Sequence, residues 1–231
     1  MTIRLGRSWS NSVRSFNIPS DTAPYGMVQM ISAQNPLVCK IGGSLFDWPE
    51  LFPRLAALLA SESRRVLLIA GGGAAADLVR DWDRRHCLGA ERAHRLAIRS
   101  MRLGEALLAD RLPEAAVVAD IQEATRAWKN GSLPILNVEA WLAREAAENR
   151  PALPPSWDVT SDSIAARVAR RWNADLLLVK STSPERANGQ FVDRRFAEFA
   201  RDLPVEWCDL RSGERGELLM RHGHANTPRF L

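Results

Sequence analysis

Lysine is rare in this chain, and two of its three lysines lie where an ammonium group could do chemistry. Of 31 basic residues, only Lys40, Lys129 and Lys180 are lysine. Lys40 ends an apolar run and opens the segment Ile-Gly-Gly-Ser, and Lys180 ends a second apolar run before Ser-Thr-Ser. An ammonium group at a strand end, beside a loop of free backbone N–H groups, suits a phosphoryl group because it supplies a compact point charge. This pattern points toward phosphoryl transfer.

Two glycine-rich loops could bind anions through backbone N–H groups. The first follows Lys40 directly, and its consecutive glycines would let the backbone approach an anion closely. A tight turn with a surface lysine is the alternative. The second loop joins an apolar run to a helical segment, so it could line a cavity in front of a helix N-terminus. The two loops contain Gly42, Gly43 and Ser44, and Gly71, Gly72 and Gly73.

Composition and spacing disfavour several classes of function. Neither glycine loop has the G-x-G-x-x-G spacing of a dinucleotide site, and no acidic residue ends the strand after the first loop, which argues against a dinucleotide-dependent oxidoreductase. The pI near 9.4 reflects a net charge of only +4 on 231 residues, with arginine and acid interleaved, so nucleic-acid binding is not expected. No apolar run approaches the roughly 18–20 residues of a membrane span.

A third chemical group lies in the segment Asp-Val-Thr-Ser-Asp-Ser at positions 158–163. Thr160 or Ser161 could cap the helix that follows, or could contact a ligand. Asp162 falls in the first helical turn, near the predicted strand ends that carry both lysines. A carboxylate there could hold the two ammonium groups in place without transferring a proton itself.

Apolar strands alternate with amphipathic helices from residue 36 onward. This alternation predicts a three-layer α/β/α sandwich with a mainly parallel central sheet, in which ligands bind at the carboxyl ends of the strands. Those ends are where the lysines and the glycine loops fall. The predicted strands are 37–41, 65–70, 115–119, 133–138, 175–180 and 205–210, and the predicted helices are 49–61, 74–84, 93–110, 121–130, 139–148, 161–173 and 196–202.

The chain is expected to contain one domain, over residues 35–231, after a polar extension of residues 1–34. The Pro-rich segment 150–156 could separate two lobes of that domain. The N-terminal residues lack the apolar core of a signal peptide, and Met27 or Met30 could be the true start. Cys39, Cys87 and Cys208 are odd in number and widely spaced, which indicates reduced thiols and a cytoplasmic protein.

The three chemical elements, in this order, resemble the amino acid kinase family, which includes acetylglutamate, uridylate, isopentenyl phosphate and aspartate kinases. The closer resemblance is to the branch that phosphorylates an aminomethylfuran phosphate in methanofuran biosynthesis. It covers about residues 36–183, and the ordered combination is more specific than any single piece. The matching segments are 40–44, 71–73 with 76–83, 93–98 with Met101, and 157–164.

The resemblance implies a role for each element. Lys40 would neutralise charge on the transferred phosphoryl group, and Asp162 would orient the lysines. The first glycine loop, with Lys180, Ser181 and Thr182, would contact the phosphates of ATP bound with Mg²⁺. The second glycine loop would cradle the acceptor, with Asp77, His94, Thr160 and Ser161 as further contacts.

Some positions depart from the family pattern or leave alternatives open. Many members place an Asp-Gly pair after the strand ending near residue 180, whereas here only Asn188-Gly189 offers a similar turn, beside the expected adenine site. Asp77 could bind an amine of the substrate or pair with Arg80, and His94 could contact the acceptor or hydrogen-bond between helices. His222 and His224 lack a third ligand nearby, so no metal site is predicted.

The expected function is an ATP-dependent small-molecule kinase that transfers the γ-phosphoryl group to a phosphate or carboxylate. The furan phosphate is the first acceptor to consider, on the resemblance alone. The alternative is a catalytically silent member that binds a nucleotide or anion for regulation or storage, which the altered loop would explain. Neither nucleic acid nor membrane is an expected partner, and a homo-oligomer, a dimer or larger, would be typical of the family.

Overall fold

The computed structural model describes residues 35–218, which form a seven-stranded sheet covered by helices. The strands are β1 (Leu37–Ile41), β2 (Val66–Ala70), β3 (Ala115–Val118), β4 (Leu133–Leu136), β5 (Asp175–Lys180), β6 (Val205–Asp209) and β7 (Arg215–Glu217). The α-helices are α1 (Leu51–Ala60), α2 (Gly73–His86), α3 (Ala90–Arg111), α4 (Ile121–Lys129), α5 (Val138–Ala147), α6 (Ser161–Arg171) and α7 (Phe196–Phe199). Short 3-10 turns follow β1 and β5, at Gly43–Leu45 and Pro184–Arg186.

The sheet order is β3-β4-β2-β1-β5-β6-β7, and every pair is parallel except β6 with β7. Helices cover both faces, so the predicted three-layer, mainly parallel α/β fold is confirmed. Strand β1 lies in the middle of the sheet between β2 and β5. The loops after these three neighbouring strands therefore emerge side by side at one edge of the sheet.

The alternation of side chains along β1 and β5 decides which face each lysine occupies. In β1, Val38 packs in the apolar core that includes α6, whereas its neighbours pack against α1 on the opposite face. Lys40 is two residues beyond Val38 and so faces α6. In β5, Leu176 and Leu178 belong to the same core as Val38, and Lys180 follows Leu178 by two residues.

The last strand, β7, was not predicted from the sequence. Its three residues are half-buried or exposed and show no apolar alternation, so no local pattern marks a strand there. It exists because it pairs antiparallel with β6. Gly216 lies against Trp207: a Cβ added at Gly216 would be 2.9 Å from the indole nitrogen.

The expectations for the chain ends and for the Pro-rich segment concern residues outside the helices and strands. The polar extension 1–34 and the histidines at 222 and 224 lie outside the described residues. The Pro-rich segment 150–156 joins α5 to α6, and strands from before and after it form one sheet. Within residues 35–218, no helix is both long and apolar enough to cross a membrane.

Candidate functional site

Asp162 lies between the ammonium groups of Lys40 and Lys180, at the carboxyl edge of the sheet. Its Oδ1 is 2.8 Å from Lys40 Nζ, and Lys180 Nζ donates to both of its oxygens, at 2.7 and 2.8 Å. The three side chains are only 5%, 13% and 7% exposed for Lys40, Lys180 and Asp162. Positions 40, 162 and 180, which the sequence predicts to cooperate, are thus in direct contact.

The two ammonium groups keep the Asp162 carboxylate ionised. Burial by itself opposes the charge, but the attraction of Lys180 and Lys40 outweighs it and holds the pKa of Asp162 at about 2. Burial has the larger effect on Lys180. It lowers the pKa of Lys180 to about 8, because the attraction of Asp162 only partly compensates and Lys40 adds repulsion. The cluster therefore carries one net positive charge when both lysines are protonated, which suits an anion.

The two glycine loops press directly against each other. A Cβ added at Gly43 would be 2.1 Å from the backbone nitrogen of Gly73, so only glycine fits there. Gly73 has a φ of +52° and in turn lies against the carbonyl of Gly43, where an added Cβ would be 2.6 Å from the oxygen. The sequence treats the loops as two separate binding elements, whereas in the fold they form one surface.

Backbone hydrogen bonds tie the three neighbouring loops together. Gly42 N donates to the carbonyl of Val179 at 2.7 Å, and Gly71 N donates to that of Ile41 at 2.8 Å. The hydroxyls of Ser44 and Ser181 are 2.8 Å apart and join the loops after β1 and β5. Because the N–H groups of Gly42 and Gly71 are engaged, the donors left for an anion lie further along each loop.

A cleft of about 210 Å³ opens beside the glycine loops, between α2, α3 and the start of α6. Its lining combines the glycine loops and polar side chains with apolar side chains from α3 and from the segment before α6. The lining residues predicted from the sequence are Gly43, Ser44, Gly72, Gly73, Asp77, His94, Thr160 and Ser161. Lys40, Asp162, Lys180, Gly42, Gly71, Ser181 and Thr182 lie outside this lining.

The cleft lining also contains a charged pair stacked on an aromatic ring. Asp77 pairs with Arg80 at 2.5 Å, and the Arg80 guanidinium stacks 4.8 Å from the centre of the Trp157 ring. The Trp157 indole N–H donates to Asp83 at 2.9 Å, which fixes the orientation of the ring. Asp77 is nevertheless 70% exposed on its side chain and lines the cleft. Both interpretations of Asp77 therefore remain compatible with its position.

His94 lies on α3 at the cleft wall. Burial lowers the pKa of His94, although a hydrogen bond with the Ser156 backbone partly opposes the effect. The imidazole is thus predominantly neutral at pH 7. His94 lines the cleft, and its hydrogen bond goes to the segment between α5 and α6 rather than to another helix.

The cap of α6 comes from a distant residue rather than from Thr160 or Ser161. Thr160 occupies the N-cap position, but its side chain makes no capping bond. Asp193, on the loop after β5, accepts from the backbone N–H groups of Thr160 and Ser163 at 2.9 and 3.0 Å. This contact is not visible in the sequence, because local patterns reveal only caps that lie next to their helix.

The loop after β5, where an adenine site was expected, is held by an ion cluster. Arg186 pairs with Asp209 at 2.6 Å and with Glu214 at 2.8 Å, and the Ser212 hydroxyl donates to Asp209. Asn188 and Gly189 form a turn with φ values of +48° and +80°. Positive φ at two consecutive residues is also the backbone shape of an Asp-Gly turn, although the first side chain here is an amide rather than a carboxylate.

A sequence profile of the amino acid kinase family matches residues 35–184. The chain belongs to the amino acid kinase family. Family membership supports a kinase-type phosphotransferase and agrees with the order of the lysines and glycine loops along the chain. No curated protein sequence matches the chain.

Two solved kinase structures are similar to this chain in fold. Uridylate kinase from Archaeoglobus fulgidus superposes with a TM-score of 0.54 at 17% identity, over 74% of this chain and 89% of that one. Aspartate kinase from Synechocystis gives a TM-score of 0.51 at 14% identity, over 74% of this chain but only 38% of that one. At these identities the likeness concerns the fold.

We predict that Gly43→Ala destabilises the protein more than Gly189→Ala does. The methyl group at position 43 would overlap the Gly73 backbone, which should cost about 2–3 kcal/mol. At position 189 an added methyl meets nothing within 4 Å, so only the strain of the positive φ remains, about 1 kcal/mol. Urea unfolding measures both values. Equal midpoints for the two variants would show that the glycine loops are not in contact.

Proposed function

We propose that the protein is an ATP-dependent kinase that transfers the γ-phosphoryl group to a phosphate or carboxylate oxygen of a small molecule. The observation that carries this proposal is the buried Lys40–Asp162–Lys180 cluster beside two glycine loops in mutual contact. Phosphoryl transfer requires positioning and charge compensation more than a covalent group, and lysines with backbone N–H groups supply both.

Each part of the site takes a role in this reaction. Lys40 compensates the charge on the transferred phosphoryl group, and Lys180, with Ser181 and Thr182, binds the nucleotide phosphates. The loop of Gly42, Gly43 and Ser44 lies along those phosphates. Gly71, Gly72 and Gly73 cradle the acceptor. Because the loops touch at Gly43 and Gly73, the phosphates and the acceptor would meet at that contact.

Asp162 orients the lysines and does not act as a base in this proposal. Both of its oxygens are engaged by ammonium groups, and its pKa of about 2 makes it a poor proton acceptor. A phosphate or carboxylate acceptor is already ionised near pH 7 and needs no base. The engaged carboxylate therefore favours an acidic acceptor over an alcohol.

Mg²⁺ fits this site as an ion held mainly by the nucleotide. The oxygens of Asp162 are engaged by the lysines, and residues 35–218 contain no group of three His, Cys, Asp or Glu side chains that could hold a metal ion. Bound to ATP, Mg²⁺ would offset charge on the β- and γ-phosphates. The hydroxyl of Ser44 lies in the loop nearest to them.

Aminomethylfuran phosphate is the acceptor that we propose to test first. The glycine loops beside the cleft could take its phosphate, and the apolar side chains of Ile98, Met101 and Val159 in the lining could contact a flat ring. The exposed carboxylate of Asp77, also in the lining, could receive its ammonium group. The cleft volume of about 210 Å³ suits a molecule of this size.

The second candidate is a silent member that binds a nucleotide or an anion without turnover. The ion cluster of Arg186, Asp209 and Glu214 favours it, because it holds the loop after β5 in the region of the expected adenine site. The lysine cluster disfavours it, since binding without transfer has no evident need for two lysines arranged around one carboxylate.

We predict that Lys40→Ala lowers turnover at least about 100-fold and weakens binding of a non-hydrolysable ATP analogue with Mg²⁺. The fold should survive, because Asp162 keeps Lys180 as its partner. Calorimetric titration measures the binding, and ADP release with aminomethylfuran phosphate and other small acids measures the turnover. Lys129→Ala is the matched control, because Lys129 is exposed at the end of α4 and should leave both unchanged.

Each result separates the two candidates. Turnover by Lys40→Ala at the wild-type rate would refute the role of Lys40. Tight binding of the analogue without turnover of any acid would favour the silent member. If wild type and both variants are folded and none binds the analogue, the nucleotide site itself is refuted.

We predict that the affinity for the ATP analogue falls as the pH rises above about 8. The free protein loses the charge of Lys180 near that pH, whereas bound phosphates would raise the pKa of Lys180, so binding takes up a proton. Linkage then weakens binding by up to about tenfold per pH unit. Calorimetry at pH 7 to 9.5 tests this. Lys180→Arg keeps its charge throughout, and a decline as steep in that variant would contradict the assignment.

A further inference from the structure

Asp193 accepts four hydrogen bonds at the N-terminus of α6. Its Oδ2 receives the backbone N–H groups of Thr160 and Ser163 and the Thr160 hydroxyl, at 2.9, 3.0 and 2.9 Å. Its Oδ1 receives the Ser163 hydroxyl at 2.5 Å. A carboxylate at this position satisfies helix donors and complements the positive end of the helix dipole. One side chain, 30 residues further along the chain, thus fixes the start of α6.

The first turn of α6 is the part of the helix that carries the site. Asp162 lies between the two residues that Asp193 holds, and it binds both lysines. Thr160 and Ser161 line the cleft. Any movement of this turn would therefore displace the ammonium groups and the cleft wall together.

Asp193 itself belongs to the loop that follows β5, and other contacts fix this loop close to Lys180. Phe191 precedes Asp193 by two residues in this loop. The ammonium group of Lys180 lies 5.3 Å from the centre of the Phe191 ring. Phe191 is anchored edge-to-face on Trp207, with the ring centres 6.2 Å apart. The backbone N–H of Arg195 donates to the carbonyl of Asp158, so the segment after Asp193 is also fixed to the residues before α6.

We propose that Asp193 is a positioning residue that joins the loop after β5 to the first turn of α6 and thereby sets the geometry of Asp162, Lys40 and Lys180. The inference rests on the proposed function for its consequence in phosphoryl transfer. It assigns Asp193 no contact with a substrate. Nucleotide phosphates bound at Lys180 and an acceptor bound at Thr160 and Ser161 would be coupled through this one carboxylate.

The charges around Lys180 give the connection an observable effect. Lys40 on β1, Asp162 on α6 and Asp193 on the loop all act on its ammonium group, and Asp193 favours the protonated form. Asp209 lies opposite Lys180 in the register of β5 with β6, and its carboxylate accepts hydrogen bonds from Arg186 and Ser212. Replacing Asp193 with asparagine removes one negative charge and at least one of the four acceptor contacts, since the amide nitrogen cannot accept a hydrogen bond.

The decisive experiment is NMR of the protein labelled at lysine Cε, which needs no substrate. The three lysines give three signals. In Asp193→Asn, we expect the titration midpoint of Lys180 to move to lower pH and the signal of Lys40 to change, while exposed Lys129 stays in place as an internal reference. Asp158→Asn is the matched control. Asp158 lies just before α6 and its carbonyl accepts from Arg195, but its side chain is 45% exposed and 3.4 Å from Arg194, so its variant should match wild type.

Binding of the ATP analogue with Mg²⁺ completes the test. Asp193→Asn should weaken it roughly five- to tenfold, the effect expected from a lost helix cap and a displaced lysine. A lower melting temperature with unchanged lysine signals and unchanged affinity would reduce Asp193 to a structural cap and overturn the proposal. If wild type binds no analogue, the kinase function fails, but the lysine titrations still decide the positioning role.

Should Asp193→Asn fail to fold, Ser163→Ala replaces it. That variant removes only the hydroxyl contact with Oδ1 and leaves both backbone bonds to Asp193. A smaller displacement of the Lys180 signal in the same direction supports the proposal. No displacement, in a folded Ser163→Ala protein, contradicts it.

Discussion

The attraction between one buried carboxylate and two ammonium groups organises the functional part of this protein. Burying three charged groups costs free energy that only close contact and hydrogen bonding offset, so none of the three can be removed without leaving its partners less compensated. Asp162 meets both lysines at hydrogen-bond distance and almost without solvent contact. The net positive charge of these three side chains suits an anion at the edge of the sheet.

The parallel sheet makes this meeting possible. Central strands β2, β1 and β5 end at the same edge, so their loops can bond to one another through the backbone, as Gly71 does to Ile41 and Gly42 does to Val179. The absence of side chains at Gly43 and Gly73 then brings two loops into direct contact. The lysine cluster, the glycine loops and the cleft therefore lie at one edge of the sheet, which is the arrangement that transfer of a charged group requires.

The loop after β5 also connects Lys180 to the start of α6. Phe191 packs under Lys180 and against Trp207, and Asp193 holds the start of α6. In the cleft lining, Trp157 stacks on Arg80 and is itself fixed by Asp83. Phe191 and Trp157 thus each give one charged group a rigid support.

The sequence by itself determined the fold class, the positions of Lys40 and Lys180 at strand ends, and the grouping of both lysines with Asp162 as one chemical unit. It could do so because strand and helix periodicity and glycine runs are local patterns, and because the carboxyl ends of parallel strands lie at one edge of a sheet. Only the tertiary structure decided that the two glycine loops touch and that Asp193 rather than Thr160 caps α6. The short strand β7 also depends on its partner β6. These contacts join residues far apart in the chain, and their free energy exists only once the sheet has brought them together, so no local pattern encodes them.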